Sequence, residues 1–171
     1  PTDARRDWNI GPYSYGTVNG VANSRVYLNS TQIYNRNTAK WRREYETAQP
    51  KNLGTTPINF PILRYADVLL MKSEAKVRNG GNGDAELTEV RERAGATLDV
   101  TATLETLLEE RLREFAWEGL RRQDLVRFGK FTRAYTDRPQ LPKEETGYTT
   151  VFPIHEDVLS LNGKLTQNYG Y

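Results

Sequence analysis

Residues 104–131 read LETLLEERLREFAWEGLRRQDLVRFGKF, and this stretch decides the fold. Leu104, Leu108, Leu112, Phe115, Ala116 and Gly119 recur at the spacing of one helical face, while Glu109, Glu110, Arg111, Arg113, Glu114 and Glu118 crowd the others. The pattern predicts an amphipathic helix from about Thr101 to a corner at Gly119. A second short helix follows, in which Leu120, Arg121, Arg122, Asp124, Leu125, Arg127 and Phe128 repeat the mixture of apolar and charged residues. The carboxylates of Glu110, Glu114, Glu118 and Asp124 then come within reach of Arg111, Arg121, Arg122 and Arg127. The spacing therefore predicts a knot of ion pairs at a bend.

Upstream, Pro61 suits the first position of a helix whose inner face is Ile62, Ala66, Leu69, Leu70, Ser73 and Val77. The small residues of that stripe allow another helix to approach closely. Arg64 and Asp67, three apart, either pair with each other or find partners elsewhere. The run GGNG at Gly80–Gly83 stops the helix, Asp84 caps the next, and Ala85, Leu87, Val90 and Ala94 face inward until Gly95 ends it. Two helices on a tight glycine loop predict an antiparallel hairpin. Periodicity alone thus predicts an all-helical core over residues 58–138.

Both ends are irregular. Residues 1–57 hold no sustained helical period, are rich in Asn, Thr, Ser and Gly, and carry Trp8, Tyr13, Tyr15, Tyr27, Tyr34, Trp41 and Tyr45. They read as loop with a few short strands, such as one over Ser24–Leu28. Residues 139–171 read as irregular chain packed on the core, with an extended piece at Val151–Ile154 and a helical turn or two at His155–Leu161, where Glu156 and Asp157 suit the start. The whole reads as one domain.

Composition excludes several functions. With 24 basic and 22 acidic residues the net charge is +2, which gives no electrostatic reason to expect nucleic acid. The absence of cysteine removes disulfides, thiolate metal sites and cysteine nucleophiles. His155 is the single histidine, which leaves no histidine-rich metal site and suits a surface or capping role. GGNG joins two helices and reads as a turn, not a phosphate loop. Apolar runs fall far short of the about 20 residues that cross a bilayer. Catalysis would need a carboxylate pair, Glu114 with Glu118 or Glu118 with Asp124, one member of it protonated; arginines at every turn favour ionised carboxylates instead. The expectation is no enzyme, no cofactor and no metal.

The string ERLREFAWEGLRRQDLVRFG (110–129) resembles a segment of the SusD/RagB family, nutrient-binding lipoproteins of the outer membrane in Bacteroidetes. FPILRYADVLLMKSEA (60–75) and VFPIHEDVLSLNGKLTQNYGY (151–171) are similar to two further family stretches, in the same order, and Pro1–Asp7 is weakly similar to an Asp-Pro-Arg element. His155 and Tyr169 stand where the family has proline, and Thr88 where it commonly has asparagine. The resemblance implies a mostly α-helical scaffold of stacked, tetratricopeptide-like hairpins with long irregular loops at both ends. It also implies a C-terminal fragment of a longer protein: members begin with a signal peptide and a lipid-bearing cysteine, and the chain opens PTDARRD.

By the same resemblance the whole protein sits at the cell surface, held in the outer membrane by a lipid anchor absent from this chain. It binds an oligosaccharide without cleaving it and delivers it to a SusC-like TonB-dependent transporter. A peptide ligand, as for RagB-like members, and a scaffold that docks the transporter with its ligand site elsewhere are the alternatives. Glu110, Glu114, Glu118, Arg121, Asp124 and Arg127 would tie the main helix to its continuation and to the helix of Arg64 and Asp67. Trp8, Tyr13, Tyr15 and Trp41 are the candidate ligand contacts, because an aromatic plane fits the apolar C–H face of a sugar ring. Equally, such aromatics pin loops to the helices behind them.

Overall fold

The computed structural model describes residues 3–29, 31–32, 36–38, 40–41, 56–135 and 138–171. Tyr34 and Tyr45 of the aromatic segment, with Pro1 and Thr2, lie outside them. In chain order the elements are α1 (Arg5–Asn9), β1 (Tyr13–Val18), β2 (Val21–Tyr27), α2 (Tyr65–Arg78), α3 (Asp84–Arg93), α4 (Leu104–Glu114), α5 (Arg121–Arg127) and α6 (Glu156–Leu161), with 3-10 turns at Glu144–Thr146 and Tyr148–Thr150. Two compact units divide the chain, Pro1–Arg121 and Arg122–Tyr171. The division falls inside the stretch 58–138 that periodicity reads as one core.

In the first unit α2 packs on α3 and on α4. Leu70, Leu87 and Leu107 are fully buried at the centre, with Ala66, Leu69, Val90, Ala102 and Phe115 around them. The α2–α3 hairpin turns where the glycines predict, and one of them is indispensable: a Cβ on Gly83 would lie 2.5 Å from Ser73 Oγ and 2.7 Å from the Ser73 carbonyl oxygen. Ser73 Oγ donates to the Gly83 carbonyl at 2.8 Å, so the smallest residue is what lets the helices close.

Four helix ends and one helix face differ from the sequence expectation. α2 begins at Tyr65, not Pro61: Arg64 stays extended (φ −128°, ψ 157°) and sends its guanidinium to Glu114 and Glu118. Asp84 is the first residue of α3 and Gly83 its cap; the Asp84 carboxylate accepts from Ala102 N at 2.6 Å, tying the start of α3 to the approach to α4. α4 starts behind Thr103, which exchanges hydrogen bonds with Thr106 as a capping box, and it stops at Glu114. Trp117 (φ 66°) and Gly119 (φ 77°) then turn the chain through left-handed backbone. Finally, Leu104 and Leu112 are exposed, whereas Glu110, Arg111 and Glu114 are buried beside Leu107 and Leu108. The charged flank of α4 faces inward.

The expected strand is one arm of an antiparallel hairpin pairing Tyr13 with Tyr27 and Val18 with Val21. Its two-residue loop is Asn19-Gly20, both at positive φ, the turn that matches strand twist.

The second unit is built round short elements. His155 caps α6, its Nδ1 accepting from Asp157 N at 3.3 Å. Glu144, fully buried, takes Arg138 as an ion pair and accepts from Leu141 N (2.8 Å) and Thr149 Oγ1 (3.0 Å). Arg138, the first of these, draws its pKa below the usual carboxylate range. The Gln167 side chain clamps Ile154, accepting from its N–H (2.8 Å) and donating to its carbonyl (2.9 Å). Arg122 donates to the Thr149 and Thr150 carbonyls and lies over the Phe131 and Phe152 rings.

Candidate functional site

Glu110, Glu114 and Glu118 sit four residues apart along α4 and the turn after it, and they are 0, 3 and 6 % exposed. Buried carboxylates cost several kcal/mol each unless paired, and here every one is. Glu114 accepts from Arg5 Nη1 (3.1 Å), Arg64 Nη1 (2.9 Å) and Arg93 Nη2 (2.6 and 2.7 Å). Glu118 takes Arg64 through Nε and Nη2, each at 2.9 Å, and pairs with Lys40. Glu110 accepts from Arg91 Nη1, and Arg5 Nη1 lies 2.6 Å from its Oε1 as an ion pair without hydrogen-bond alignment. Arg64 and Arg111 both lie over the Phe115 ring, at 4.9 and 4.8 Å from its centroid, which joins this ionic layer to the apolar core.

The titration behaviour follows from this crowding. Burial pulls the Arg5 guanidinium down, but its hydrogen bond to Asp3 and the charge of Glu110 outweigh that and raise its pKa. Arg64 is raised likewise, burial being outweighed by Glu118 and Glu114. Lys40 goes the other way: burial lowers it more than Glu118 raises it. Asp3 is lowered by its bond to Arg5.

The predicted network residues therefore fall as follows. Arg64 bonds Glu114 and Glu118, not Asp67; Asp67 accepts from Arg111 Nη1 at 2.7 Å. Arg121 Nη1 donates to the Leu108 carbonyl at 3.0 Å. Asp124 and Arg127 belong to the second unit, where Arg127 Nη2 donates to Asp124 at 2.9 Å. Arg5, Lys40, Arg91 and Arg93, which local spacing does not single out, supply most of the cations. The one sequence sign of Arg5 is the aspartate two residues before it, which accepts from its N, Nε and Nη2.

The aromatic candidates form two groups. Tyr13 is 5 % exposed, with Arg25 over its ring and Tyr15 and Tyr27 edge-on against it, so it packs the hairpin; Tyr15 is exposed. Trp8 and Trp41 belong to the other group, at the end of α4. Trp41 Nε1 donates to the Trp117 carbonyl (3.2 Å), Trp41 packs on Phe60, and Trp117 Nε1 donates to the Asn9 carbonyl (2.6 Å). Trp117, 57 % exposed, is a member that helical spacing hides, because it sits in a left-handed turn. A cleft of about 420 Å³ opens here, lined by Trp8, Asn9, Lys40, Arg64, Arg93 and Glu114 among others. No group of side chains among the described residues is arranged to hold a metal ion.

Stacked helices on a buried ionic layer, with tryptophans gathered at the end of α4 and a cleft beside Trp8, define a helical scaffold. The chain belongs to the SusD family, whose model matches residues 2–171. It is 34% identical over 139 residues to the starch-binding protein SusD of Bacteroides thetaiotaomicron, an alignment covering 77% of this chain and 25% of that protein. The surface glycan-binding protein A from Bacteroides uniformis is similar in structure, with a TM-score of 0.65, 27% identity, and 97% of this chain matched to 37% of that one. A SusD superfamily protein from Bacteroides vulgatus shares the fold at a TM-score of 0.62 and 24% identity, over 97% of this chain and 37% of its own. The fold is thus the helical, tetratricopeptide-like one of that superfamily. The chain spans between a quarter and two fifths of these relatives' lengths.

Proposed function

We propose that this chain is part of an outer-membrane, cell-surface protein that binds an oligosaccharide without cleaving it and hands it to a SusC-like TonB-dependent transporter. Family membership supports the class, as do relatives named for starch and surface glycans. The observation that carries the reading is the gathering of Trp8, Trp41 and Trp117, each at least partly exposed, at the end of α4, where Trp8 lines a cleft. Indole planes stack on sugar C–H faces, while Asn9, Lys40 and Arg64 offer donors to hydroxyls. Binding without cleavage suits the carboxylates, since Glu114 and Glu118 are both engaged by Arg64 as part of the buried ionic layer. Tyr15 extends the surface as a second, separate contact.

The test is tryptophan fluorescence of the 171-residue chain titrated with starch-derived, plant and host oligosaccharides, with mixed peptides in parallel. A saturable change with a glycan, lost in Trp8→Ala and Trp41→Ala, is the expected result. Saturation by peptides alone replaces the ligand class, and silence from a folded chain moves the ligand site off this segment.

A further inference from the structure

Arg64 and Arg93 line not one cleft but two. On one side lies the 420 Å³ cleft with Trp8; on the other a cleft of about 330 Å³ lined by Tyr65, Leu69, Val90 and Glu89. Two guanidiniums thus form a shared wall with an accessible aromatic ring on either side, Trp8 at 38 % and Tyr65 at 68 % exposure.

The ion pairs behind that wall leave one cation over. Among the described residues, Arg5, Lys40, Arg64, Arg91, Arg93 and Arg113 interlock with Asp3, Glu109, Glu110, Glu114 and Glu118, six cations on five carboxylates. The most accessible of the six is Arg93. Its side chain is 59% exposed, and it makes both its bonds to Glu114 through Nη2, so Nη1 and Nε bond nothing among the described residues. Its one carboxylate is already divided among three arginines.

We propose that the paired clefts form a subsite for an acid-substituted oligosaccharide, its carboxylate or sulfate on Arg93 beside Arg64 and its flanking rings over Trp8 and Tyr65. A uronate or a sulfate ester brings a negative charge and acceptor oxygens to the unbonded N–H groups of Arg93, a charge-assisted bond that neutral sugars lack. Glu89, at the Tyr65 side, repels a second acid group there, so the acid ring lies toward Trp8. This inference rests on the glycan-binding reading and narrows its substrate class.

Calorimetric titration of the full chain with an oligogalacturonate, a sulfated oligosaccharide and a neutral oligosaccharide of equal length tests it, at low and at raised salt. The expected result is about tenfold or greater preference for one of the acidic ligands, shrinking with salt, the two acidic arms telling uronate from sulfate. In Arg93→Gln the ratio of acidic to neutral affinity falls to about one, and in Arg93→Lys, which keeps the charge but not the fork, it falls part of the way. Equal affinity for neutral and acidic ligands, or a ratio unmoved by both variants, overturns the acidic subsite and leaves glycan binding standing. Silence with every glycan overturns both.

Discussion

Replacing Glu114 by Gln keeps the side chain's volume while removing its charge and one of its two acceptor oxygens, both of which accept from arginines, and so tests what this carboxylate contributes to the ionic layer. Three arginines lose a partner, unequally. Arg93 is mostly in water and loses less than about 1 kcal/mol. Arg5 keeps Asp3 at 2.7 Å and Glu110 at 2.6 Å, and Arg64 keeps Glu118 at 2.9 Å, so neither cation is abandoned, yet each forfeits a charged hydrogen bond worth about 1.5–3 kcal/mol. The sum is roughly 3–7 kcal/mol, at or above the about 3–5 kcal/mol for breaking a buried pair. At about 4 °C per kcal/mol, the midpoint of the first unit drops by more than about 10 °C. All three tryptophans, Trp8, Trp41 and Trp117, lie in that unit, so fluorescence during urea unfolding reports it selectively. Glu109→Gln is the control, since its pair with Arg113 is on the surface and its loss costs at most a few tenths of a kcal/mol. A Glu114→Gln cost below about 1 kcal/mol would refute the reasoning, because the carboxylate would then be no more than a tolerated charge.

Gly83→Ala forces a Cβ into Ser73 at 2.5 Å and is expected to cost about 2 kcal/mol in the same urea experiment; a neutral outcome would mean that α2 and α3 separate freely. In the second unit, Gly170→Ala drives a Cβ to 2.5–2.8 Å from the Tyr148 side chain at φ +93°, so hydrogen exchange should show lost protection at Ile154 and Asn168, with the first unit unchanged. Glu86 gives a pH signature: hydrogen bonds from Lys76 and then Lys72 hold its pKa at about 2, below the usual 4.5. Because the folded value is depressed, its stabilisation is complete above pH 4.5 and lost as pH falls toward 2. Lys72 and Lys76 are exposed enough for water to screen them, so wild type should lose about 1 kcal/mol more than Glu86→Gln across that window, and parallel curves would count against the pairing.

The helical hairpin was legible because its information is local. GGNG stops one helix and starts the next, and Leu69, Leu70, Leu87 and Val90 repeat at helical spacing. The face of α4 was not legible in the same way. Counting leucines points Leu104 and Leu112 inward, but the layer they would occupy is filled by Glu110, Arg111 and Glu114, and a carboxylate is buried only when its cations arrive from elsewhere. Those cations stand at 5, 40, 64, 91 and 93, tens of residues away, where no spacing rule reaches. The same holds for the aromatics. Tyr13 and Tyr15 are two apart on one strand and so share a face, with their rings edge-on at 5.7 Å, yet one is buried and the other exposed, a difference that spacing does not carry. Trp117 is drawn into the site only by the left-handed turn that ends α4 early.

The placement of these cations also explains why a small domain keeps so much charge inside. An apolar layer of the same volume would be at least as stable, because desolvation offsets most of the attraction within an ion pair. What an apolar layer lacks is address. Among the described residues Lys40 reaches Glu118 and the Glu114 carbonyl, and that brings its neighbour Trp41 onto the Trp117 carbonyl. Arg5 is bound to Glu110 and Glu114 and carries Trp8, three residues on, to the cleft. Arg64, on the same two carboxylates, fixes where the segment bearing Phe60 ends and α2 begins, and Phe60 packs on Trp41. Each segment that brings an aromatic ring to the end of α4, the short helix α1 included, is therefore held by a cation near that ring, and each of these cations is held by Glu110, Glu114 or Glu118. The ionic layer acts as the register that brings α1 and the irregular segments to one surface.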